Sequence, residues 1–83
     1  IVKWGEQSHP DGTTPEVNIL ADLARDYANM QDKNGKLTWA DILKEEFWEA
    51  LAETDPDKLR NVLIQVAAVA VAWVEAIDRR NDG

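Results

Sequence analysis

A group of acidic side chains in the middle of the chain has the residue types and spacing to bind a cation. The chain has glutamates at positions 45, 46, 49 and 53. On a helix, Glu46, Glu49 and Glu53 would fall within about 60° of one another, with Glu45 about 40° beyond. Carboxylates this close repel each other at neutral pH unless a cation lies between them. Magnesium suits such a site because it prefers oxygen ligands and keeps waters that a phosphate can displace. A solvated acidic face is the alternative interpretation of the same spacing.

A second pattern in the same segment indicates contact with another protein. Trp48 falls about 150° from the centre of the apolar stripe of its helix, which predicts an outward-facing indole. That stripe, expected to face the core, consists of Trp39, Leu43, Phe47, Ala50 and Leu51. An exposed tryptophan ringed by small and polar residues is typical of an interface hot spot. The alternative is that Trp48 packs on the N-terminal arm or on a second copy. The predicted protein-binding residues are Trp48, Phe47, Lys44, Asn61, Val62, Ile64 and Gln65.

Helix-start signals divide the chain into three helices that would position these groups. Thr14-Pro15-Glu16 and Asp55-Pro56-Asp57 each supply an N-cap, a first-turn proline and an acidic residue. Thr38 and Asp41 have the spacing of a capping box. Apolar residues at helical spacing follow each signal and predict a buried side of each helix, with Leu20, Leu23 and Tyr27 in the first helix and Leu63 in the third. Helices are therefore expected over residues of about 15–31, 38–53 and 56–80.

The length of the chain limits it to one domain over residues 1–83, with an arm over residues 1–14 that Trp4 is expected to dock. The chain has no cysteine, so neither a disulfide nor a thiolate zinc site can stabilise it. Folding should bury about 63% of the unfolded surface. The resulting hydrophobic gain of about 130 kcal/mol nearly equals the ordering cost of about 125 kcal/mol. Packed helices, oligomerisation or a bound ion must then supply the margin of stability.

The third predicted helix is apolar on every side. Its main stripe is wide enough to pack on both other helices, and a second surface of smaller aliphatic residues remains. A helix that is hydrophobic all round is normally buried on all sides, so a homodimer through this helix is expected. The second surface consists of Ile64, Ala67, Ala68, Val71 and Ala72.

Charge and hydropathy exclude several classes of partner. The net charge of −7 argues against nucleic acid, whose phosphates need clustered Lys and Arg, and favours a protein partner with a basic surface. The longest apolar run, Val62 to Val74, has 13 residues, fewer than the roughly 20 that cross a bilayer. No membrane helix is therefore expected, and the cytoplasm is the default location.

The segment from Ile42 to Glu53, with the alanine-rich segment from Leu59 to Ala70, resembles the MazG-like all-α nucleoside triphosphate pyrophosphohydrolases. The resemblance covers about residues 37–80, and residues 4–12 resemble the N-terminal stretch of short members. It implies an antiparallel three-helix bundle of MazG-like type. It also implies that an E-x-x-E helix and a following E-x-x-D helix hold magnesium on the triphosphate of a nucleotide, which is cleaved to monophosphate and pyrophosphate.

The chain departs from this family motif in its second half. Glu46 and Glu49 match the first acidic pair, but the second pair falls on Val62 and Gln65. Val62 has no side-chain oxygen, and Gln65 has an oxygen but no charge. Losing two of four ligand charges should remove most of the magnesium affinity.

The predicted function is therefore a protein-binding module on a MazG-like scaffold whose catalysis is lost or impaired, with no cofactor expected. The scaffold is either a natural non-catalytic relative or one re-surfaced by design. Two alternatives stay open. In one, the chain is an active magnesium-dependent pyrophosphohydrolase that holds the metal through Glu45, Glu46, Glu49 and Glu53. In the other, it is a self-associating helical protein without further activity.

Overall fold

The computed structural model describes residues 7–82, and these are helical from Pro15 onward apart from two short connections. A 3₁₀ turn leads into the first of three α-helices, and residues 7–82 contain no strand, so the all-α class is confirmed. The expected docking of Trp4 lies outside the described residues. The elements are a 3₁₀ turn at Pro15–Val17, α1 at Asn18–Lys33, α2 at Trp39–Ala52 and α3 at Pro56–Asp82.

Side-chain caps begin α2 and α3 where the sequence predicts them. Thr38 Oγ1 accepts a hydrogen bond from the Asp41 N–H, and Asp41 Oδ2 accepts one from the Thr38 N–H, both at 3.1 Å. The Asp55 carboxylate accepts from the Asp57 N–H at 3.1 Å. Gly35 has a φ of +69°, a left-handed conformation that favours glycine, in the turn after α1. The capping box is thus confirmed, and it sets where α2 begins.

The central element is α2, with α1 and α3 on opposite sides of it. Both neighbours run antiparallel to α2, and no Cα atom of α1 lies within 8 Å of one in α3. The principal dimensions are 41 × 33 × 16 Å, and the twofold difference between the two shorter ones is typical of a layer. Helical spacing puts the small side chains of Ala50 and Ala52 on opposite sides of α2, where helices approach closely. The expectation that α3 packs on both other helices is therefore wrong, because it packs on α2 alone.

Only small or isolated side chains form the core of this layer. The described chain has no fully buried large side chain, and its buried apolar residues are Ala21, Ala28, Ala50 and Leu59. The accessible surface is 6566 Å², about 1,600 Å² more than a compact protein of this mass exposes. Folding therefore hides about half of the unfolded surface, and the hydrophobic gain falls about a fifth below the sequence-based value. A single chain thus buries less apolar surface than a compact protein of its length.

The longest helix, α3, is also poorly covered. Over Pro56–Asn81 an 18-residue window reaches a mean hydropathy of 1.6, and none of that window is buried. By length and hydropathy this helix is able to cross a membrane, which the 13-residue apolar run did not predict. The helix is longer than the 13-residue apolar run because it continues through polar residues on both sides of that run. One such helix is weak evidence for a membrane span, since helices of soluble proteins meet the same criteria.

The capping box predicts a specific loss of stability. Thr38→Ala should lower the free energy of unfolding by about 1 kcal/mol, because the Asp41 N–H loses its acceptor. Urea unfolding at a fixed protein concentration measures the change. Thr38→Ser keeps the hydroxyl and should stay within a few tenths of a kcal/mol of the parent. Equal losses in the two variants would contradict the role given to the hydroxyl.

Candidate functional site

The layer has two faces of opposite character, and they are clearest on α2. Successive residues turn about 100° around a helix, so each face can be followed in order around its axis. On one side the order is Trp48, Lys44, Leu51, Phe47 and Leu43. On the other side it is Glu45, Glu49, Ile42, Glu53 and Glu46.

We use the name apolar face for the side of the layer that carries exposed large hydrophobic residues from all three helices. It is defined by Leu20, Leu23 and Tyr27 of α1, Phe47 and Leu51 of α2, and Leu63 and Val74 of α3. Ile19, Ile64 and Val71 are also exposed, but helical spacing puts them on the outer edges of α1 and α3. The polar face is the opposite side, defined by Asn18, Asp22 and Arg25 of α1 and by Glu45, Glu49 and Glu53 of α2.

Two grooves run along the apolar face, one on each side of a ridge. The ridge consists of Phe47 and Leu51, which are 44% and 37% exposed. The groove between α1 and α2 has a volume of about 310 Å³, and the groove between α2 and α3 has about 340 Å³. The first is lined by Leu20, Leu23, Ala24, Tyr27, Asp41, Lys44 and Trp48, and the second by Leu43, Ala70, Trp73, Val74 and Ile77. The face therefore offers a partner both a ridge and adjoining apolar grooves.

Trp48 and Phe47 have exchanged the roles that the sequence predicts for them. Trp48 is half-buried in the groove against α1, so the expectation of an outward-facing indole is wrong. Phe47, assigned to the core stripe, is exposed and meets the Trp48 ring edge-on at a centroid distance of 5.2 Å. The exchange occurs because α1 and α3 flank α2 on opposite sides, whereas the predicted stripe places both neighbours on one side.

The remaining predicted protein-binding residues do not all lie on one surface. Lys44 is exposed beside Trp48, and Ile64 is exposed in a groove of α3 that also includes Leu63. Val62 lies in the groove of the polar face. Asn61 and Gln65 are exposed, and helical spacing puts them on the side of α3 away from the apolar face. The structure thus brings Trp48, Phe47 and Lys44 together and separates Val62 from them.

Sequence reasoning missed most of the residues that define the apolar face. Leu20, Leu23, Tyr27, Leu51 and Leu63 recur at helical spacing and were expected in the interior. In the structure they are between 37% and 59% exposed. A signal was present in the sequence, because three short helices cannot cover so many large side chains when no fourth helix packs on them.

The carboxylates of α2 perturb one another on the polar face. Burial raises the pKa of Glu46, and the charges of Glu49 and Glu45 and a hydrogen bond with Glu49 raise it further. Burial also raises the pKa of Glu45, as does Glu49, while Arg25 opposes the shift. The raised pKa values of Glu45 and Glu46 therefore reflect partial burial first and neighbouring carboxylates second.

The positively charged side chain of Arg25, on α1, lies near these carboxylates. The Arg25 side chain donates to Asp22 Oδ1 at 3.0 Å, lies 4.0 Å from Asp26 Oδ1 and acts on Glu45. Within the described part of the chain, no three His, Asp or Glu side chains converge closely enough to hold a metal ion. Glu45, Glu46, Glu49 and Glu53 thus share one helix without forming a recognisable ion cage.

Comparison of the chain with protein-family models, curated proteins and solved structures finds no match. Fold class follows from the helices themselves, while the MazG-like resemblance depends on the sequence motif alone.

The raised pKa of Glu46 predicts that neutralising this carboxylate stabilises the folded chain by an amount that depends on pH. Because this pKa is raised on folding, the folded chain holds more protons than the unfolded chain between the ordinary and the raised value. The free energy of unfolding therefore falls as pH rises through that interval. Glu46→Gln should raise Tm at pH 7, and the gain should shrink towards about pH 4, where Glu46 is protonated.

Thermal unfolding at several pH values measures this effect. Glu75→Gln, at an exposed position of α3, changes the net charge equally and serves as the control. A gain of the same size at every pH, or one shared by the control, would rule out relief of charge at Glu46 as its cause.

Proposed function

We propose that the chain is a protein-binding module on a MazG-like helical scaffold, that it docks through the apolar face, and that it does not hydrolyse nucleotides efficiently. The observation that carries this proposal is a surface of large exposed apolar side chains that crosses all three helices. The largest apolar patch on a typical monomer covers about 300–600 Å² and is often functional. The apolar face carries such side chains on each of the three helices, which supports an interface there.

The anchors of this interface are aromatic. Phe47 at the ridge and Tyr27 on α1 are 44% and 48% exposed, and each fixes a large contact area with few rotatable bonds. Interface hot spots are rich in aromatic groups at the centre of the contact. Phe47 lies on the central helix of the layer, which makes it a better candidate anchor than the half-buried Trp48.

The loss of catalysis is supported by the groove of the polar face. Val62 lines this groove together with Glu49 and Glu53, in the position where the family motif would supply another carboxylate. An isopropyl group offers no ligand to a metal. Arg25 lines the same groove, so a guanidinium already provides positive charge there. We therefore propose no cofactor for the chain.

A pyrophosphate-release assay separates this proposal from the enzymatic alternative. With magnesium and a panel of nucleoside triphosphates, turnover should stay far below the order of 1 s⁻¹ that is usual for enzymes. The double variant Val62→Glu with Gln65→Asp should bind magnesium more tightly in titration calorimetry if the motif assignment is right. Turnover near 1 s⁻¹ that Glu49→Ala abolishes would instead establish the chain as a pyrophosphohydrolase.

Docking through the apolar face predicts position-dependent crosslinking. A photoreactive phenylalanine analogue in place of Tyr27 should form a discrete adduct in cells that express the chain, and mass spectrometry identifies the captured protein. The same analogue in place of Asn29, an exposed residue that helical spacing puts on the polar side of α1, is the matched control. The proposal fails if Tyr27 gives no adduct or if both positions give the same products.

A further inference from the structure

We propose that the occupant of the apolar face is a second copy of this chain, so that two three-helix layers stack into a six-helix homodimer. This inference rests on the proposed function, because it names the partner of the same face. It assigns the interface to all three helices, whereas the sequence predicts self-association through α3 alone.

The exposed area is large enough for a stable homodimer interface. The chain exposes about 1,600 Å² more than a compact protein of its mass, an excess to which the extended and exposed residues 7–12 also contribute. Hiding half of that excess on each of two chains would bury about 1,600 Å² in total, which is the standard size of a stable interface. Helical domains normally consist of two packed layers around one core, and this chain supplies one layer. A second copy supplies the missing layer with an equal area of apolar surface.

The distribution of charge allows two acidic chains to meet on this face. Each chain carries a net charge of −7, and the acidic residue that lines a groove of the apolar face is Asp41, which is buried and accepts a hydrogen bond from the Thr38 N–H. The glutamates of α2 lie on the opposite side, so stacking would direct them away from the partner. Lys44 is the charged residue at the edge of the ridge, and its long side chain can reach solvent. A second copy therefore meets apolar surface with little charge repulsion.

Other occupants fit the charges less well. A basic protein would be attracted to the polar face, where the glutamates lie, and gains nothing from the apolar face. Helices that lie on membrane surfaces are usually rimmed by Lys and Arg that contact anionic lipids. Lys44 alone offers such a contact among the residues that line the α1–α2 groove, and the chain is acidic as a whole.

Symmetry fixes what lies at the centre of the dimer. In a twofold interface the same patch is used by both chains. Because α2 is the middle helix of each layer, full stacking places the two α2 helices over each other. Phe47 lies near the middle of α2, so the two Phe47 side chains should be neighbours across the axis.

Light scattering and thiol crosslinking test this arrangement. The parent chain should have about twice the 9.3 kDa mass of one chain at micromolar concentrations. Phe47→Glu should raise the dimer Kd on the order of 100-fold or more, since each charge would be buried in the interface. Asn29→Glu adds the same charge on the polar side of α1 and should leave the dimer intact. Circular dichroism shows whether each variant remains helical.

A crosslink in the dimer tests the face even if Phe47→Glu unfolds. The chain has no cysteine, so Phe47→Cys introduces a single thiol that a short bismaleimide should join to its counterpart. Asn29→Cys should not crosslink. A monomeric parent chain at about 100 μM, above the Kd of any stable homodimer, or a dimer that crosslinks through Asn29, would overturn the inference.

The photo-crosslinking experiment distinguishes this inference from the proposed function. An adduct between Tyr27 and a second copy supports both. An adduct with a different protein, together with a monomeric parent chain, overturns the homodimer and leaves the protein-binding function standing. Binding of the monomer to vesicles of phosphatidylcholine and phosphatidylserine, abolished by Phe47→Glu, would overturn both in favour of a membrane surface.

Discussion

The arrangement of the three helices depends on where α2 allows other helices to approach. Ala50 and Ala52 lie on opposite sides of this helix, and the neighbouring helices pack against those two sides. A helix with all its small residues on one side would draw both neighbours to that side and enclose a triangular core. Here the neighbours are held apart, and the larger side chains between them stay uncovered. The exposure of the apolar face is thus a consequence of packing α1 and α3 on opposite sides of one central helix.

The packing of α1 and α3 on opposite sides of α2 also separates the glutamates of α2 from its exposed apolar residues. On α2 the glutamates occupy the side opposite to Phe47 and Leu51. Crowding and partial burial raise the pKa of Glu46, so the acidic side carries a cost in the folded chain at neutral pH. Arg25 offsets part of this cost at Glu45. Segregation of this kind gives an acidic protein a face on which association is not opposed by its net charge.

Local signals in the sequence were sufficient for the helices but not for their packing. Thr38 and Asp41 form the predicted capping box because its hydrogen bonds join residues three apart and need no tertiary contact. The predicted helix limits agree with the structure to within two residues when the 3₁₀ turn is counted with α1. Trp48 and Phe47 were placed wrongly because which side of a helix is buried depends on the positions of its neighbours. The acidic character of one side of α2 was predictable, since spacing within a helix determines it.

Stability and binding are coupled when a fold consists of one helical layer whose apolar side is exposed. The buried apolar residues of the described chain are three alanines and one leucine, which contribute little transfer free energy. Any partner that binds the folded chain and not the unfolded one adds RT ln(1 + [L]/Kd) to the free energy of unfolding, where [L] is the free partner concentration. Because the net stability of a folded chain is a small difference between large opposing terms, such a contribution changes the population of the folded state strongly. A partner that covered the apolar face, as proposed, would therefore favour folding as well as recognition, because it would bury side chains that a single layer leaves exposed.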